Sequence, residues 1–472
     1  MPIVPPGQRW HEEVDIGVVG AGGCGLVAAH TAARDDLRVV IWEKGKSAGG
    51  STALSSGMVG AAGTRMQREA GISETAEEFA RDILERNRGR SDPVLTRRLC
   101  ESSAALVEWL VDARSVQLTL VKQAYDHGHT RPRLHAPPTR TGQAVIDGLL
   151  RSLERRGIRL RLGAPVLQLW SDVDGAVVGL QVKMPKKAPT NVHCGKVILA
   201  TGGFGANPKL MAEHCRAAAG LNYIGGPTSD GDALMWAADI GAATRDLGAF
   251  EAHATVAVGS KQLVPWALVV NGAILVNQRG ARFADEHCEP AALFEPLLSQ
   301  PGGVAYEVFD ARILKSVTLE DPHFASEVVP RAVRRGDDVA SLAKQFQVDP
   351  DALGQTIGLY NQTAAVPFTP PFYGIRVTAA LLQTQGGLLI DSNAHVLRPD
   401  GTPIPNLFAG GGAAVGCSGP GGDGYLLGNG LLCALGWGKI AGEQAAHELL
   451  AARVAGEDAA PPPEPEPSAA ED

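Results

Sequence analysis

Apolar positions near the start of the chain form two short runs, at residues 16–19 and 38–42. Each run has the length and composition of a buried strand. Residues 26–33, between them, carry apolar and small side chains at helical spacing, and glycines fill the turn before that stretch. The pattern predicts a strand, a tight turn, a helix and a second strand in that order.

The turn has the spacing GxGxxG, formed by Gly20, Gly22 and Gly25. In this motif the first glycine permits the turn, the second lets a pyrophosphate approach the backbone, and the third lets helix and strand pack closely. The helix start offers free N–H groups and a positive dipole end to phosphates. Glu43 ends the second strand eighteen residues after Gly25 and can accept hydrogen bonds from ribose hydroxyls. A dinucleotide site is therefore expected, and the motif alone leaves NAD and FAD equally open.

The rest of the chain alternates between helical and strand patterns. Helices are predicted at residues 73–88, 92–111, 141–155 and 337–346, and strands at residues 158–162, 166–170, 177–182, 196–200, 273–276 and 388–390. The turn at residues 172–175 predicts a hairpin. A second glycine turn follows at residues 201–205, and a glycine-studded stretch at residues 419–430 leads into a last helix that ends at residue 451.

Composition narrows the class of protein. A chain of 472 residues with 44% hydrophobic and 20% charged residues is typical of a globular protein of two or three domains. The net charge of -8 gives no electrostatic reason for nucleic-acid binding. We see no apolar run near the ~20 residues that span a bilayer and no secretory signal, so we expect a cytoplasmic protein without a membrane span.

The seven cysteines are scattered, without CxxC or ferredoxin-like spacing. The spacing argues against iron–sulfur and c-type haem sites and favours buried free thiols. A polar loop at residues 125–141 carries cations that suit an anionic or carbonyl substrate. They are His127, His129, Arg131, Arg133, His135 and Arg140. The two histidines at its start have no cysteine partner nearby, so no metal site is expected.

Three motifs in order, GxGxxG, ATGGFG at residues 200–205 and NLFAGGG at residues 406–412, resemble the succinate dehydrogenase/fumarate reductase flavoprotein family. The resemblance covers roughly residues 14–450. It implies an α/β fold with a Rossmann-like, glutathione-reductase-type FAD-binding domain that is split in sequence by an inserted α+β cap domain. The FAD-binding domain is expected at residues 1–233 and 371–452, the cap (substrate) domain at residues 234–370, and a disordered tail at residues 453–472.

The resemblance also implies which residues hold FAD. Besides the three motif glycines and Glu43, they are Lys44, Gly50, Ser51, Thr52, Ser56, Gly57, Val166, Ala200, Thr201, Gly202, Asp232, Gly411, Gly412, Leu426 and Leu427. Ser51 stands where respiratory members carry the histidine that bonds covalently to FAD. The resemblance therefore implies non-covalent FAD.

Other departures from the family pattern change the expected substrate. The proton-relay Glu and Arg of fumarate reductases correspond here to Trp266 and Val269, and their substrate-binding His and Arg correspond to Gln383 and Tyr425. No arginine stands in the HCEP stretch at residues 287–290, where those enzymes place their proton donor. A dicarboxylate has lost most of its contacts, which argues against a plain fumarate reductase.

The stretch around Tyr425, Gly-Tyr-x-x-Gly, is similar to that of 3-ketosteroid Δ4-dehydrogenases and tricarballylate dehydrogenases. In the former the matching tyrosine takes part in proton abstraction, although the serine two positions later is Leu427 here. Packing of Tyr425 on the flavin for shape alone is an equally weighted alternative. His253 matches a His-x-Thr that lines the substrate pocket of the family.

These resemblances imply an FAD-dependent dehydrogenase that introduces a C=C bond α,β to a carbonyl of a 3-ketosteroid or of a smaller cyclic ketone or oxo acid. Tyr425 is the expected base or proton relay, and flavin N5 accepts the hydride. The alternative is an enzyme of fumarate-reductase or tricarballylate-dehydrogenase type that acts on a carboxylic acid. Electrons are expected to leave to a diffusible acceptor, and the oligomeric state stays open.

Overall fold

The computed structural model describes residues 2–5, 7–34, 37–122, 128–286 and 293–458, and of residues 456–458 only the backbone. The helices are α1 (Gly23–Ala32), α2 (Gly50–Leu54), α3 (Arg65–Glu69), α4 (Ala76–Arg86), α5 (Pro93–Arg114), α6 (Gly142–Arg155), α7 (Pro208–His214), α8 (Asp232–Ile240), α9 (Ala267–Val270), α10 (Phe294–Leu298), α11 (Ala311–Glu320), α12 (Val329–Ala332), α13 (Val339–Phe346), α14 (Pro350–Thr363) and α15 (Asn429–Asp458). The strands are β1 (Glu12–Val19), β2 (Val39–Glu43), β3 (Val59–Gly60), β4 (Thr119–Leu120), β5 (Leu134–Ala136), β6 (Arg159–Leu162), β7 (Val166–Ser171), β8 (Val177–Lys183), β9 (Pro189–Leu199), β10 (Asn222–Tyr223), β11 (Thr244–Arg245), β12 (Phe250–Ala257), β13 (Ile274–Val276), β14 (Ala305–Asp310), β15 (Arg334–Gly336), β16 (Phe372–Thr384), β17 (Gly387–Leu388), β18 (His395–Leu397) and β19 (Pro403–Ala409).

A mostly parallel sheet with strand order β18-β19-β9-β1-β2-β6 is built from both ends of the chain. β1 pairs in parallel with β2 and β9, and β19 pairs in parallel with β9. The last six residues of β1 are buried, because α1 and α15 pack on this sheet and on each other. The predicted strand–turn–helix–strand unit is therefore confirmed, and the hairpin of β7 and β8 joins the same sheet through β9.

The second sheet belongs to the middle of the chain, where β16 pairs with β10, β12, β14 and β15, and β14 also pairs with β13. Its side chains form a hydrophobic core separate from that of the parallel sheet. The domain division at residues 233, 370 and 452 stays a prediction. Two observations bear on it: β16 lies beyond residue 370 yet belongs to the second sheet, and α8 buries Ala233, Ala237 and Ile240 in the first core.

Several predicted elements begin or end elsewhere for local reasons. The helix predicted from residue 73 begins after Thr75, whose hydroxyl accepts the Glu78 N–H while the Glu78 carboxylate accepts the Thr75 N–H. The strand predicted at residues 388–390 is only β17, which pairs with β11. The last helix, predicted to end at residue 451, continues to Asp458, inside the segment predicted as a tail. None of the helices within the described ranges combines the length and apolar character needed to cross a membrane.

A charged cluster fastens α15 to the parallel sheet. His395 on β18 contacts Asp391 through Nδ1 (2.8 Å) and Glu448 on α15 through Nε2 (2.6 Å), and Lys196 on β9 donates to Glu448 at 2.5 Å. Partial burial disfavours the imidazolium, but the hydrogen bonds to Asp391 and Glu448 outweigh it and raise the pKa of His395 to about 9. Burial opposes the charge of Glu448 as well, yet the bonds from His395 and Lys196 lower its pKa to about 2.

The cluster predicts a pH window for stability. His395 has a raised pKa in the folded chain, so its contribution is complete below the ordinary value of 6.5 and is lost as pH rises through about 9. Glu448 has a depressed pKa, so its contribution is lost as pH falls from 4.5 toward 2. His395→Gln is expected to destabilise the folded protein by about 2 kcal/mol at pH 6 and by far less at pH 10. Thermal unfolding midpoints at both pH values measure this difference, with His447→Gln, an exposed histidine of α15, as the matched control.

Candidate active site

A cavity of about 330 Å³ lies between the parallel sheet and the second sheet. One end is lined by the GxGxxG turn, the end of β2 with Lys44, and α2. The other end is lined by β12, β16, the stretch around Tyr425 and residues 261–266. The cavity is thus shared between the segments expected to hold a cofactor and those expected to hold a substrate.

The geometry of the GxGxxG turn agrees with the roles assigned to its glycines. Gly20 has φ +106°, a conformation that favours glycine, and a Cβ there would lie 2.3 Å from the Ala200 oxygen. A Cβ on Gly25 would lie 1.9 Å from the Gly20 oxygen, so helix and turn pack without room for a side chain. Around Gly22 only the Gly49 oxygen lies within 4 Å of such a Cβ, at 3.8 Å, so this backbone stays accessible to a ligand.

The residue before α1 is Gly22, which has no side chain to cap the helix, and the first turn of α1 carries no acidic residue. The Thr52 hydroxyl accepts the Gly23 N–H at 3.3 Å, and the positive dipole end of α1 lies beside the cavity next to Gly22. The Glu43 carboxylate accepts the Ala21 N–H at 2.8 Å and the Gly45 N–H at 2.6 Å, which holds it at the end of β2. Lys44 donates to Asp232 at 2.7 Å and to Asp230. These contacts hold the Glu43, Lys44 and Asp232 side chains in place at the end of the cavity lined by the GxGxxG turn.

Most residues expected to hold the cofactor line this cavity. They are Gly20, Gly22, Glu43, Lys44, Gly50, Ser51, Thr52, Ser56, Val166, Ala200, Thr201, Gly202, Asp232, Gly411, Gly412 and Leu427. Gly25, Gly57 and Leu426 do not line it, and their part in holding the cofactor stays a prediction. Gly25 packs beneath Gly20, a Cβ on Gly57 would lie 2.8 Å from Pro137 and from the Thr141 oxygen, and Leu426 is fully buried.

The residues present fit FAD. An open glycine backbone at a helix N-terminus suits the pyrophosphate, and Glu43 suits the ribose hydroxyls. Toward the other end, Gly411 has φ +61°, and a Cβ on Gly412 would lie 2.7 Å from the Gly203 nitrogen. Backbone therefore lines this end of the cavity, and side chains in place of these glycines would fill the space. Ser51 donates no ring nitrogen for a covalent link; its hydroxyl accepts the Gly226 N–H at 2.9 Å.

His253 lies on β12 and faces the cavity with a defined tautomer. Its Nδ1 accepts the Thr255 backbone N–H at 3.2 Å, so the ring proton resides on Nε2. Burial lowers the pKa of His253 to about 4, so the ring is neutral at physiological pH. The edge of the ring packs on Trp266, with centroids 6.1 Å apart. A neutral imidazole held in this way presents one N–H donor to a ligand.

Tyr425 lies in the cavity beside a carboxyl group, not beside a cation. Its hydroxyl is in hydrogen-bonding contact with Glu251 of β12, and the Gly430 N–H points to it at 3.4 Å. Gln383 of β16, directly opposite Glu251 in the sheet, donates to that carboxyl group at 2.6 Å. Burial and the neighbouring carboxylate raise the pKa of Tyr425 well above its ordinary value, which disfavours a free phenolate base. The relay form of the prediction remains compatible with this geometry.

The cationic loop expected to meet the substrate behaves differently from its prediction. Arg133 is fully buried away from the cavity, where it pairs with Glu74 and Asp82, each at 2.5 Å. His135 is also buried and contacts Thr64 at 2.9 Å. Arg140 alone among the described residues of this loop lines the cavity, and His127 lies outside the described residues.

Glu251 is the residue that the sequence interpretation missed. It stands two positions before His253, and both line the cavity from β12. Strand alternation carries the signal, since residues i and i+2 of a strand point to one face. The acid was overlooked because a lone glutamate in an apolar strand gives no motif.

Comparison with known proteins agrees with this geometry. A family model described as FAD binding domain matches residues 15–431. The fumarate reductase (cytochrome) of Shewanella frigidimarina is 32% identical over 452 residues, covering 92% of this chain and 77% of that protein.

Two solved structures are similar over nearly the whole chain. The open conformation of a flavocytochrome c3 fumarate reductase has a TM-score of 0.81 at 29% identity and covers 93% of this chain and 79% of its own. A 3-ketosteroid-Δ4-(5α)-dehydrogenase from Rhodococcus jostii has a TM-score of 0.73 at 25% identity, covering 94% of this chain and 99% of its own.

Proposed function

This chain belongs to the FAD binding domain family, and on that premise we propose that it oxidises or reduces a C–C bond α,β to a carbonyl. The predicted α/β fold, the FAD cofactor and the resemblance to the succinate dehydrogenase/fumarate reductase flavoproteins are confirmed. The chain is an FAD-dependent oxidoreductase that acts on CH–CH groups. When bound, FAD supplies hydride acceptance or donation at flavin N5. Non-covalent attachment and a cytoplasmic location remain predictions.

The observation that carries the proposal is the pairing of a neutral donor with a buried acid pair in one cavity. His253 offers Nε2–H, and a carbonyl oxygen that accepts it gains stabilisation as negative charge develops on it during enolate formation. Because its pKa is low, His253 stays neutral between pH 5 and 9 and keeps Nε2–H as a hydrogen-bond donor. Tyr425 and Glu251 provide the proton side of the same reaction.

We infer a ketone as the substrate because the cavity end around Tyr425 is lined largely by neutral groups, among them Trp266, Leu263 and Gln383. A 3-ketosteroid or a smaller cyclic ketone fits such a lining. The solved ketosteroid dehydrogenase of similar fold supports this choice.

One observation favours the second candidate, an enzyme that acts on a carboxylic acid. Arg140 lines the cavity in a left-handed conformation, φ +55°, and its Nη1 is buried without a hydrogen-bond partner among the described residues. An unpartnered guanidinium N–H suits a substrate carboxylate. Asp321 and His323 line the same cavity, so the local charge is mixed. The likeness to fumarate reductase supports this candidate as well.

Flavin spectra under exclusion of oxygen test the proposal in both directions. Oxidised holoenzyme is mixed with saturated ketones and polycarboxylates, and chemically reduced holoenzyme with their α,β-unsaturated counterparts. We expect a ketone or its enone to change the flavin band within the mixing time, since only a true redox partner exchanges a hydride.

The Arg140→Met variant separates the two candidates. A ketone partner is expected to react with this variant at a similar rate, whereas a carboxylic acid partner would lose affinity. If only carboxylic acids change the flavin band, the second candidate is favoured. If no compound changes the flavin band of either the oxidised or the reduced holoenzyme, both candidates are contradicted.

A further inference from the structure

Three polar side chains meet at the end of the cavity where β12, β16 and the start of α15 converge. Glu251 accepts from Gln383 at 2.6 Å and contacts the Tyr425 hydroxyl. A Cβ on Gly430 would lie 2.2 Å from the Gln383 amide nitrogen and 3.3 Å from the Tyr425 hydroxyl oxygen, so only glycine leaves room for this cluster. Glu251 is 9% exposed and lines the cavity.

We propose that Glu251 holds the proton exchanged with substrate and passes it through the Tyr425 hydroxyl, a role that rests on the function proposed above. In oxidation the α-carbon gives its proton to the Tyr425 oxygen while the Tyr425 O–H proton moves to the Glu251 carboxylate. The electron pair of the broken α-C–H bond forms the C=C bond, and the β-hydrogen leaves with its own pair as hydride. In reduction the same protons move in the opposite sense, so atoms and charge balance.

The directions of the pKa shifts agree with Glu251 as the group that holds the proton and Tyr425 as the group that transfers it. Burial raises the pKa of Glu251 to about 7, although the bonds from Gln383 and Tyr425 favour its carboxylate. The pKa of Tyr425 lies far higher, so Tyr425 stays protonated at rest and acts only while it exchanges protons with Glu251. A group that titrates near neutral pH exchanges protons in either direction with little driving force lost.

The titratable groups around Glu251 leave this assignment intact. His253, on the same strand, stays neutral. Cys433 of α15 faces Tyr425. The helix α10 packs against β12, and its Glu295 is exposed at the surface. Glu307 on β14 offers a contrast, because it is buried and its pKa is raised to about 8 by burial and by Glu286, yet it does not line the cavity. Glu307 therefore serves as a matched control, because it is a similar buried acid that does not line the cavity.

The experiment compares holoenzyme carrying Glu251→Gln, Glu251→Asp or Glu307→Gln with the unaltered protein. Steady-state rates across pH 5.5–9 are expected to show one limb near pH 7, rising with pH for oxidation and falling with pH for reduction. Glu251→Gln is expected to lose this limb and on the order of 10²-fold in rate. Glu251→Asp keeps an acid and is expected to keep a limb, and Glu307→Gln is expected to keep the full profile.

Infrared difference spectra of the same holoenzymes provide a readout that needs no turnover. The unaltered protein is expected to show two carboxylic-acid carbonyl bands, one titrating near pH 7 from Glu251 and one near pH 8 from Glu307. Glu251→Gln is expected to lose only the first band, and Glu307→Gln only the second. A Glu251 that is ionised throughout this pH range, or a Glu251→Gln variant with an unchanged pH profile, would overturn the proposal. If no compound exchanges a hydride with the flavin, the proposed function fails, while the infrared titration still decides whether Glu251 holds a proton.

Discussion

Tyr425→Phe is expected to lower turnover by roughly 10²–10⁴-fold, because it removes the hydroxyl that joins substrate to Glu251. The ring remains, so packing in the cavity and the bound flavin spectrum are expected to change little. The Glu251 carboxyl group keeps its hydrogen bond from Gln383 and stays in place. Single-turnover flavin reduction with the identified substrate, measured without oxygen, isolates the chemical step from product release.

Tyr360→Phe is the matched control. Its hydroxyl donates to the Gly272 oxygen at 2.7 Å outside the cavity, so its loss is expected to cost about 1 kcal/mol of stability and to leave turnover unchanged. Equal turnover for Tyr425→Phe and the unaltered protein would show that Tyr425 merely shapes the cavity. That outcome would remove the relay and leave the Nε2–H of His253 as the proposed contact to the ketone oxygen.

The parallel sheet was predictable because its signals are local. A buried strand, a glycine turn and a helix with an accessible N-terminus follow one another within thirty residues, and each glycine has a geometric reason that the structure bears out. The second sheet was harder to predict, because β16 pairs with β10, whose residues lie 158 positions before their partners, and such contacts are encoded by no short pattern. The limits of the cap domain depend on the same long-range contacts and stay a prediction.

The site was predictable where a motif carried it and unpredictable where three-dimensional pairing did. His253 and Tyr425 came from the family pattern, and both line the cavity. The Glu251–Gln383 pair depends on the register of β12 against β16, which a single sequence does not give. Arg133 shows the opposite error, since a cation in a polar loop suggests ligand binding, whereas the fold buries it against two carboxylates.

Arg133→Met is expected to destabilise the folded protein by about 3–5 kcal/mol, because it leaves two carboxylates buried without their cation. The Arg133 and Glu74 side chains are 0% exposed and that of Asp82 is 4% exposed. Nε of Arg133 also donates to Glu74 at 2.8 Å, and the guanidinium lies 4.8 Å from the Phe79 ring centroid. Urea unfolding of the holoenzyme, followed by flavin fluorescence and circular dichroism, measures the loss.

The loss is expected to shrink as pH falls from 7.5 to 5, because without Arg133 the pKa of Asp82 rises and its protonation removes a buried charge. Arg97→Met is the matched control: its pair with Glu77 at 3.2 Å is 46% and 59% exposed, so its removal is expected to cost below about 1 kcal/mol at either pH. If Arg133→Met unfolds like the unaltered protein but raises KM, the cation serves the substrate after all. If the variant instead shows a large, pH-dependent loss of stability and an unchanged KM in its folded fraction, Arg133 has a structural role. It then joins α4 and the residues before it to the loop that leads to Arg140.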